Sequence, residues 1–327
     1  MRAIQAGRAG GPDVLEPADL PEPTPGPGEV LVRTAAAGVN FIDTYRRSGV
    51  YPVPFPHIPG SEGAGTVTAV GDGVTDLSVG DPIAWADSPD SYAEFVRVKV
   101  ARAIPVPDGV GLDVAAALPL QGLTAHYLAT STYPVQAGDT ILVHAGAGGV
   151  GLLLTQLATA RGARVITTVS TAEKEQLSRA AGAAEVIRYD LLKDLTAELP
   201  GLVRELAGGG LPVVYDGVGR STFDASLACL RPRGLMVLFG ASSGPVPPFD
   251  LQRLNAGGSL YVTRPTLGHY IATTEELRGR AGELFAAVQA GTLQVRIGAR
   301  FPLAEARGAH EALEGRATTG KVILELG

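Results

Sequence analysis

The run Ala145-Gly146-Ala147-Gly148-Gly149-Val150-Gly151 carries the clearest chemical signal in this chain of 327 residues. The apolar stretch Ile141-Leu142-Val143-His144 leads into it and Leu152-Leu153-Leu154-Thr155-Gln156-Leu157-Ala158 follows, so the glycines join a buried strand to a helix. A pyrophosphate bound there needs close backbone approach, amides pointing at it and a helix N-terminus behind it, and only small residues allow all three. Gly148 and Gly149, flanked by Ala147 and Val150, are expected to meet the phosphates, while Gly151 lets the helix lie close on the strand. A glycine turn alone also serves packing, but here a second buried strand follows the helix, which favours dinucleotide binding.

A site for NAD usually places an acid against the adenosine ribose ~20 residues beyond the glycines. This chain has Val169-Ser170-Thr171-Ala172-Glu173-Lys174 there. Glu173 is the only acid near that place, and its spacing from Ser170 is that of a capping box, which gives it a local role at a helix start. Ser170, Thr171 and Lys174 supply hydroxyls and a cation to a ribose phosphate, so the expected cofactor is NADPH rather than NADH. Tyr189 and Arg316 are further candidates for that phosphate, each with a surface role as the plain alternative.

These groups must be held by a frame, and the hydrophobic rhythm supplies one. From Thr140 to Phe239 buried strands alternate with helical stretches near 150–160, 172–181, 195–207 and 222–230, which predicts a parallel sheet covered on both faces. Residues 1 to about 120 show short alternating runs such as Glu29-Val30-Leu31-Val32-Arg33 between turn residues, the pattern of a mostly β lobe. Two amphipathic stretches, near 274–290 and 304–315, precede the strand-like Lys321-Val322-Ile323-Leu324-Glu325-Leu326. Periodicity leaves open whether this tail extends the parallel sheet or returns to the first lobe.

Composition narrows the function. The apolar fraction of 45% supports a sizeable core, and the length suits two domains. A formal charge of -6 with scattered cations gives nothing to neutralise a phosphate backbone, so nucleic acid is not an expected partner. No apolar run approaches the ~20 residues of a membrane span, so no membrane association and a cytoplasmic location are expected. The lone cysteine, Cys229, lies in an apolar pattern and reads as an inert core thiol, and the five histidines show no close metal-ligand spacing.

Several segments together resemble the zinc-free quinone oxidoreductase branch of the medium-chain dehydrogenase/reductase family, from end to end. They are Ala37-Gly38-Val39-Asn40 through Tyr51, Gly138-Asp139 through the glycines to Gln156, Val214-Tyr215-Asp216-Gly217-Val218-Gly219, Phe239-Gly240-Ala241-Ser242-Ser243-Gly244 and Ser259-Leu260-Tyr261-Val262-Thr263-Arg264-Pro265. The branch usually has a basic residue where this chain has Thr159. Zinc-dependent relatives have Gly-His-Glu where Gly60-Ser61-Glu62 stands, and with Ser61 there and no cysteine nearby a zinc ligand set is not expected.

The resemblance implies an α/β protein: a Rossmann doubly wound parallel sheet domain over residues 123–262, inserted in a GroES-like mostly β domain of residues 1–122 and 263–327. The nicotinamide would lie in the cleft between them. Asn40, Asp43, Tyr45, Tyr51 and Arg264 would be the substrate-side residues. Asn40, with Phe41 beside it, is equally placed for the nicotinamide ribose. Thr124, Val218, Phe239, Gly240 and Ser242 would face the cofactor. The implied activity is NADPH-dependent reduction of quinones, by hydride or single electrons, in a homodimer paired through Leu260-Tyr261-Val262. An alkenal or enone reductase is the nearest rival, and an NADPH-sensing, structural or RNA-binding protein a rival of another class.

Overall fold

The computed structural model describes residues 1–326. The chain divides into two compact units, one of Met1–Leu123 together with the residues from Tyr270 onward, the other of Thr124–His269. The division falls inside the helix Pro119–Tyr127.

The second unit is built on a six-stranded parallel sheet. Its spatial order is Glu185–Arg188, Arg164–Val169, Thr140–Val143, Leu211–Asp216, Leu230–Leu238 and Tyr261–Thr263. The chain order therefore reverses between Thr140–Val143 and Leu211–Asp216, and open sheets of this kind bind ligands outside the strand ends at that crevice. Leu142, Ile166, Val214 and Met236 are buried in one cluster, as expected for strands covered on both faces. The helix Leu195–Ala207 adds Leu199 and Val203 to the core, each worth ~2 kcal/mol of burial. Its ends are set by local chemistry: Asp194 caps the amides of Thr196 and Ala197, and Gly208 stops it at φ 70°.

The first unit contains a seven-stranded sheet centred on the strand Glu29–Val39, which pairs antiparallel with Glu62–Val70, Phe95–Lys99 and Lys321–Glu325. The tail strand thus returns to the first unit, with Val322 opposite Val39 and Leu324 opposite Ala37, and lies between Glu29–Val39 and Ile297–Pro302. Its apolar run reads the same in either sheet, and the deciding partners are about 280 residues away. The helix Ala306–Glu314 covers this region through Ala309 and Leu313, beside Ile4, Val39 and Tyr92.

Candidate functional site

Gly148, in extended conformation, precedes the helix Gly149–Ala160. Two of the glycines are required by packing alone: a Cβ on Gly146 would stand 2.5 Å from Thr167 Cβ, and one on Gly151 would overlap the carbonyl oxygen of Ala145. At Gly148 a Cβ would meet only Ala145, so this glycine keeps the space before the helix open. The first amides of a helix have no partner within it and carry the positive end of its dipole, the electrostatics that suit a phosphate.

Below the turn lies a buried polar network. Asp216 Oδ1 accepts from the amides of Val218 (2.8 Å) and Gly219 (3.0 Å), and its Oδ2 accepts from Thr222 Oγ1 and Ser226 Oγ at 2.7 Å each. His144 lies 3.0 Å from Ser226 Oγ through Nε2 and 2.8 Å from Thr168 Oγ1 through Nδ1. Because Ser226 spends its hydrogen on Asp216, Nε2 donates to Ser226 and Nδ1 accepts from Thr168. Burial pushes His144 below its ordinary pKa, in keeping with this neutral form. The amide of Gly146 in turn donates to Thr168 O at 3.0 Å, so one network holds both the glycine turn and the loop after Asp216.

That loop gathers several of the residues picked out by sequence. A Cβ on Gly217 would stand 2.8 Å from the ring of Phe239, one on Gly240 would stand 2.5 Å from Gly217 O, and Ser242 N donates to Gly217 O at 3.3 Å. Val218, Phe239, Gly240 and Ser242 are therefore drawn together around Gly217, while Arg264 donates to Leu238 O at 3.1 Å beside the same strand end. Thr124 is buried in the helix Pro119–Tyr127.

Val169 lies opposite Arg188 in the sheet, so Ser170 and Tyr189 leave the same end of neighbouring strands. The expected capping box between Ser170 and Glu173 does not form. The helix cap is Thr171, extended at φ -146°, and its hydroxyl accepts from Lys174 N at 3.2 Å, which leaves Glu173 one position short of the place a box requires. Lys174 Nζ instead donates to Ser170 Oγ at 3.5 Å, so the two hydroxyls and the ammonium group are assembled as a set. Arg188 is tied to Asp190 by bonds of 2.7 and 2.6 Å. Arg316 belongs to the other unit, in the turn after Ala306–Glu314, with φ 56°.

In the first unit, Asn40 precedes the short helix Phe41–Arg47, and Asp43 Oδ2 closes back on the Asn40 amide at 2.9 Å. Asp43 also accepts from Ser61 Oγ (2.7 Å) and Tyr92 Oη (3.3 Å). Burial raises its pKa to about 6, outweighing the opposing pull of Ser61, the Asn40 amide, Arg46 and Lys321. Beyond Tyr92 the bonds continue to His310 Nε2 (3.0 Å), from His310 Nδ1 to Arg47 (2.9 Å), and from Arg47 to Glu314 (2.8 Å). His310 is lowered to about 3 by burial and then by Arg47, so it is neutral and donates through Nε2 to Tyr92. On the other side Arg46 donates to Ser61 Oγ at 2.6 Å and stands 3.7 Å from Asp87.

Asn40 itself is buried between Lys321 and Glu62, which pair with each other. Tyr45 packs edge-on against Tyr51 at 5.5 Å and lies 6.2 Å from Phe41, with Tyr51 exposed. Asn40 and Asp43 therefore sit inside a polar network, and Tyr45 and Tyr51 lie at its outer side. Sequence reasoning missed Arg46, Arg47, Glu62, Tyr92, His310 and Lys321 as members of this network. One signal was present: a Cβ on Gly38 would overlap the Glu62 carboxylate and stand 2.7 Å from Lys321 Cε, so that glycine marks the buried pair.

Residues 26–108 match the family model for the alcohol dehydrogenase GroES-like domain, and residues 149–284 match that for zinc-binding dehydrogenase. A quinone oxidoreductase of Pseudomonas aeruginosa is 48% identical over 326 residues, 99% of each chain. The chain belongs to the quinone oxidoreductase branch of the medium-chain dehydrogenase/reductase family. The solved Escherichia coli quinone oxidoreductase complexed with NADPH superposes with a TM-score of 0.96 at 42% identity, covering 100% of each chain. A 2-haloacrylate reductase of a Burkholderia species is 40% identical, over 97% of this chain and 96% of its own.

Within this branch, the second unit is the Rossmann sheet and the first the GroES-like unit. Despite the zinc-binding name of one family model, among the described residues no three His, Cys, Asp or Glu side chains gather as cation ligands, and Cys229 is buried in the Rossmann core. Ser61, where zinc-dependent members carry a histidine, is spent on Asp43 and Arg46.

Proposed function

We propose that this chain reduces quinones with NADPH. The observation that carries the reading is full-length similarity to quinone oxidoreductases, joined to a glycine turn whose helix N-terminus and small residues fit a pyrophosphate. When bound, NADPH supplies the reducing hydride, and the protein's part is position and polarity. In this reading Ala147, Gly148, Gly149 and Val150 hold the pyrophosphate. Ser170, Thr171, Lys174 and Tyr189 receive the ribose phosphate, with Arg316 a further candidate. Thr124, Val218, Phe239, Gly240 and Ser242 line the path to the nicotinamide. Asn40, Phe41, Asp43, Tyr45, Tyr51 and Arg264 complete the reacting end.

The proposed organisation is a domain of residues 1–122 and 263–327 serving substrate and one of 123–262 serving cofactor, in a cytoplasmic homodimer paired through the edge strand Tyr261–Thr263. Tyr261 there is 61% exposed, an apolar edge suited to a second copy. Among the described residues no helix is long and apolar enough to cross a membrane. The similarity to a 2-haloacrylate reductase favours a second reading, in which the same chemistry acts on an alkene conjugated to a carbonyl.

The test mixes purified protein with NADPH or NADH and a panel of benzoquinone, naphthoquinone, phenanthrenequinone and an alkenal, following cofactor absorbance. Quinone-dependent oxidation that prefers NADPH is expected. Turnover of the alkenal alone would move the conclusion to the second reading. NADPH binding without any turnover would leave a sensor or structural protein.

A further inference from the structure

The side chain of Asn40 is enclosed by charge. Lys321 Nζ donates to its Oδ1 at 2.7 Å, and its Nδ2 donates to Glu62 Oε2 at 2.8 Å. An ammonium group only donates and an ionised carboxylate only accepts, so the pair admits one orientation of the amide, oxygen toward Lys321 and nitrogen toward Glu62. The second hydrogen of Nδ2 faces Gly38 O at 3.4 Å. Nδ2 is thus committed to protein acceptors, and Oδ1, which also faces the Asp43 amide across the capping box, is the accepting end of the side chain.

Glu62 and Lys321 are 0% and 1% exposed. A buried ion pair is a poor source of stability, since apolar residues of similar size often serve as well or better. The first unit accommodates this one at three places. Gly38 leaves the room for it, Glu62 Oε1 takes the amide of Leu120 at 2.7 Å in the helix that carries Thr124, and Lys321 comes from the tail strand. Every one of these contacts fixes the pair, and the pair fixes Asn40.

We infer that Glu62 and Lys321 are positioning residues that set the polarity of Asn40, so that it offers its ligand an acceptor and not a donor. The inference rests on the proposed reaction, whose two ligands differ in this respect. The oxygens of a simple quinone only accept hydrogen bonds, whereas the ribose hydroxyls of NADPH also donate them. Asn40 therefore belongs to the cofactor side, and negative charge developing on a reduced quinone oxygen is met by another group.

The decisive experiment compares Glu62→Gln/Lys321→Met with the native enzyme. Removing both charges leaves no lone ion in the core and frees the Asn40 amide to turn over. NADPH affinity, read by fluorescence titration, is expected to fall about 10-fold, the cost of one well-directed hydrogen bond, while KM for benzoquinone and kcat at saturating NADPH stay within about 2-fold. Lys321→Arg keeps both charges and is expected to stay within about 3-fold of native affinity, against about 10-fold weaker binding for Glu62→Gln/Lys321→Gln, whose two amides accept either orientation of Asn40. That comparison, which keeps a polar side chain at both positions, answers the same question should the Gln/Met variant melt at low temperature. Unchanged NADPH affinity in folded variants, or a loss confined to quinone KM or kcat, would overturn the inference. Native protein that binds NADPH but reduces no quinone would sink the proposed reaction instead, while the affinity comparison would still decide what the pair does.

Discussion

Asp43 offers a prediction whose size can be worked from its surroundings. Burial holds its pKa at about 6, against 3.8 for an ordinary aspartate. A carboxyl raised on folding binds its proton more tightly in the native state, so its contribution to stability is complete below the unfolded pKa and disappears as pH rises through the folded one. The shift of roughly two units amounts to about 3 kcal/mol in all. Part of that lies in an accessible range: between about pH 5 and about pH 7.5 linkage predicts a change of about 1.4 kcal/mol. Asn at this position cannot titrate, so other groups cancel when native protein and Asp43→Asn are compared at each pH. Urea unfolding across that range should show native protein losing about 1.4 kcal/mol relative to the variant as pH rises, with equal slopes on denaturant. The absolute offset between the two depends on how Asn satisfies Ser61, Tyr92 and the Asn40 amide, and carries no weight here. A flat difference, or one that grows with pH, would refute the reasoning.

Three further outcomes follow from the geometry. Lys174→Ala should raise KM for NADPH roughly 10-fold or more and leave NADH nearly unchanged, since in the proposed reading its ammonium group meets the phosphate that NADH lacks; equal losses for both cofactors would contradict this. Gly151→Ala places a methyl group on the carbonyl oxygen of Ala145, so thermal melting should show a loss of about 1–3 kcal/mol together with weakened NADPH binding. Tyr261→Glu charges the exposed edge strand and should convert a dimer to monomer in analytical ultracentrifugation at unchanged helicity; a variant that still sediments as a dimer would place the interface elsewhere.

The Rossmann sheet was legible in the sequence because each of its elements declares itself locally. The helix Leu195–Ala207 and the strand Arg164–Val169 have periods that need no distant partner to interpret. The β unit was legible in kind but not in order, since short apolar runs fix no neighbour until registers such as Val322 with Val39 are known. At Ser170 the spacing matched a capping box, yet the strand ends at Val169 and the helix starts one residue later than the box requires, with Thr171 as its cap. Asn40 and Asp43 were visible as a motif, but the groups that surround them come from positions as remote as Tyr92, His310 and Lys321, and pairings across such separations leave no periodic trace.

The position of the strand Lys321–Glu325 has a consequence for biosynthesis. Residues 124–269 form a continuous unit that a growing chain can complete as it leaves the ribosome, the usual habit of domains made in sequence. The other unit cannot follow that habit. Its central strand, Glu29–Val39, waits for a partner made almost 300 residues later, and until Lys321 arrives Glu62 has no cation to accompany it into the interior. The unit whose translation starts first is thus finished last, and a ribosome that stalls before Lys321 would release a chain with its parallel sheet complete and Glu62 still without a cation beside it.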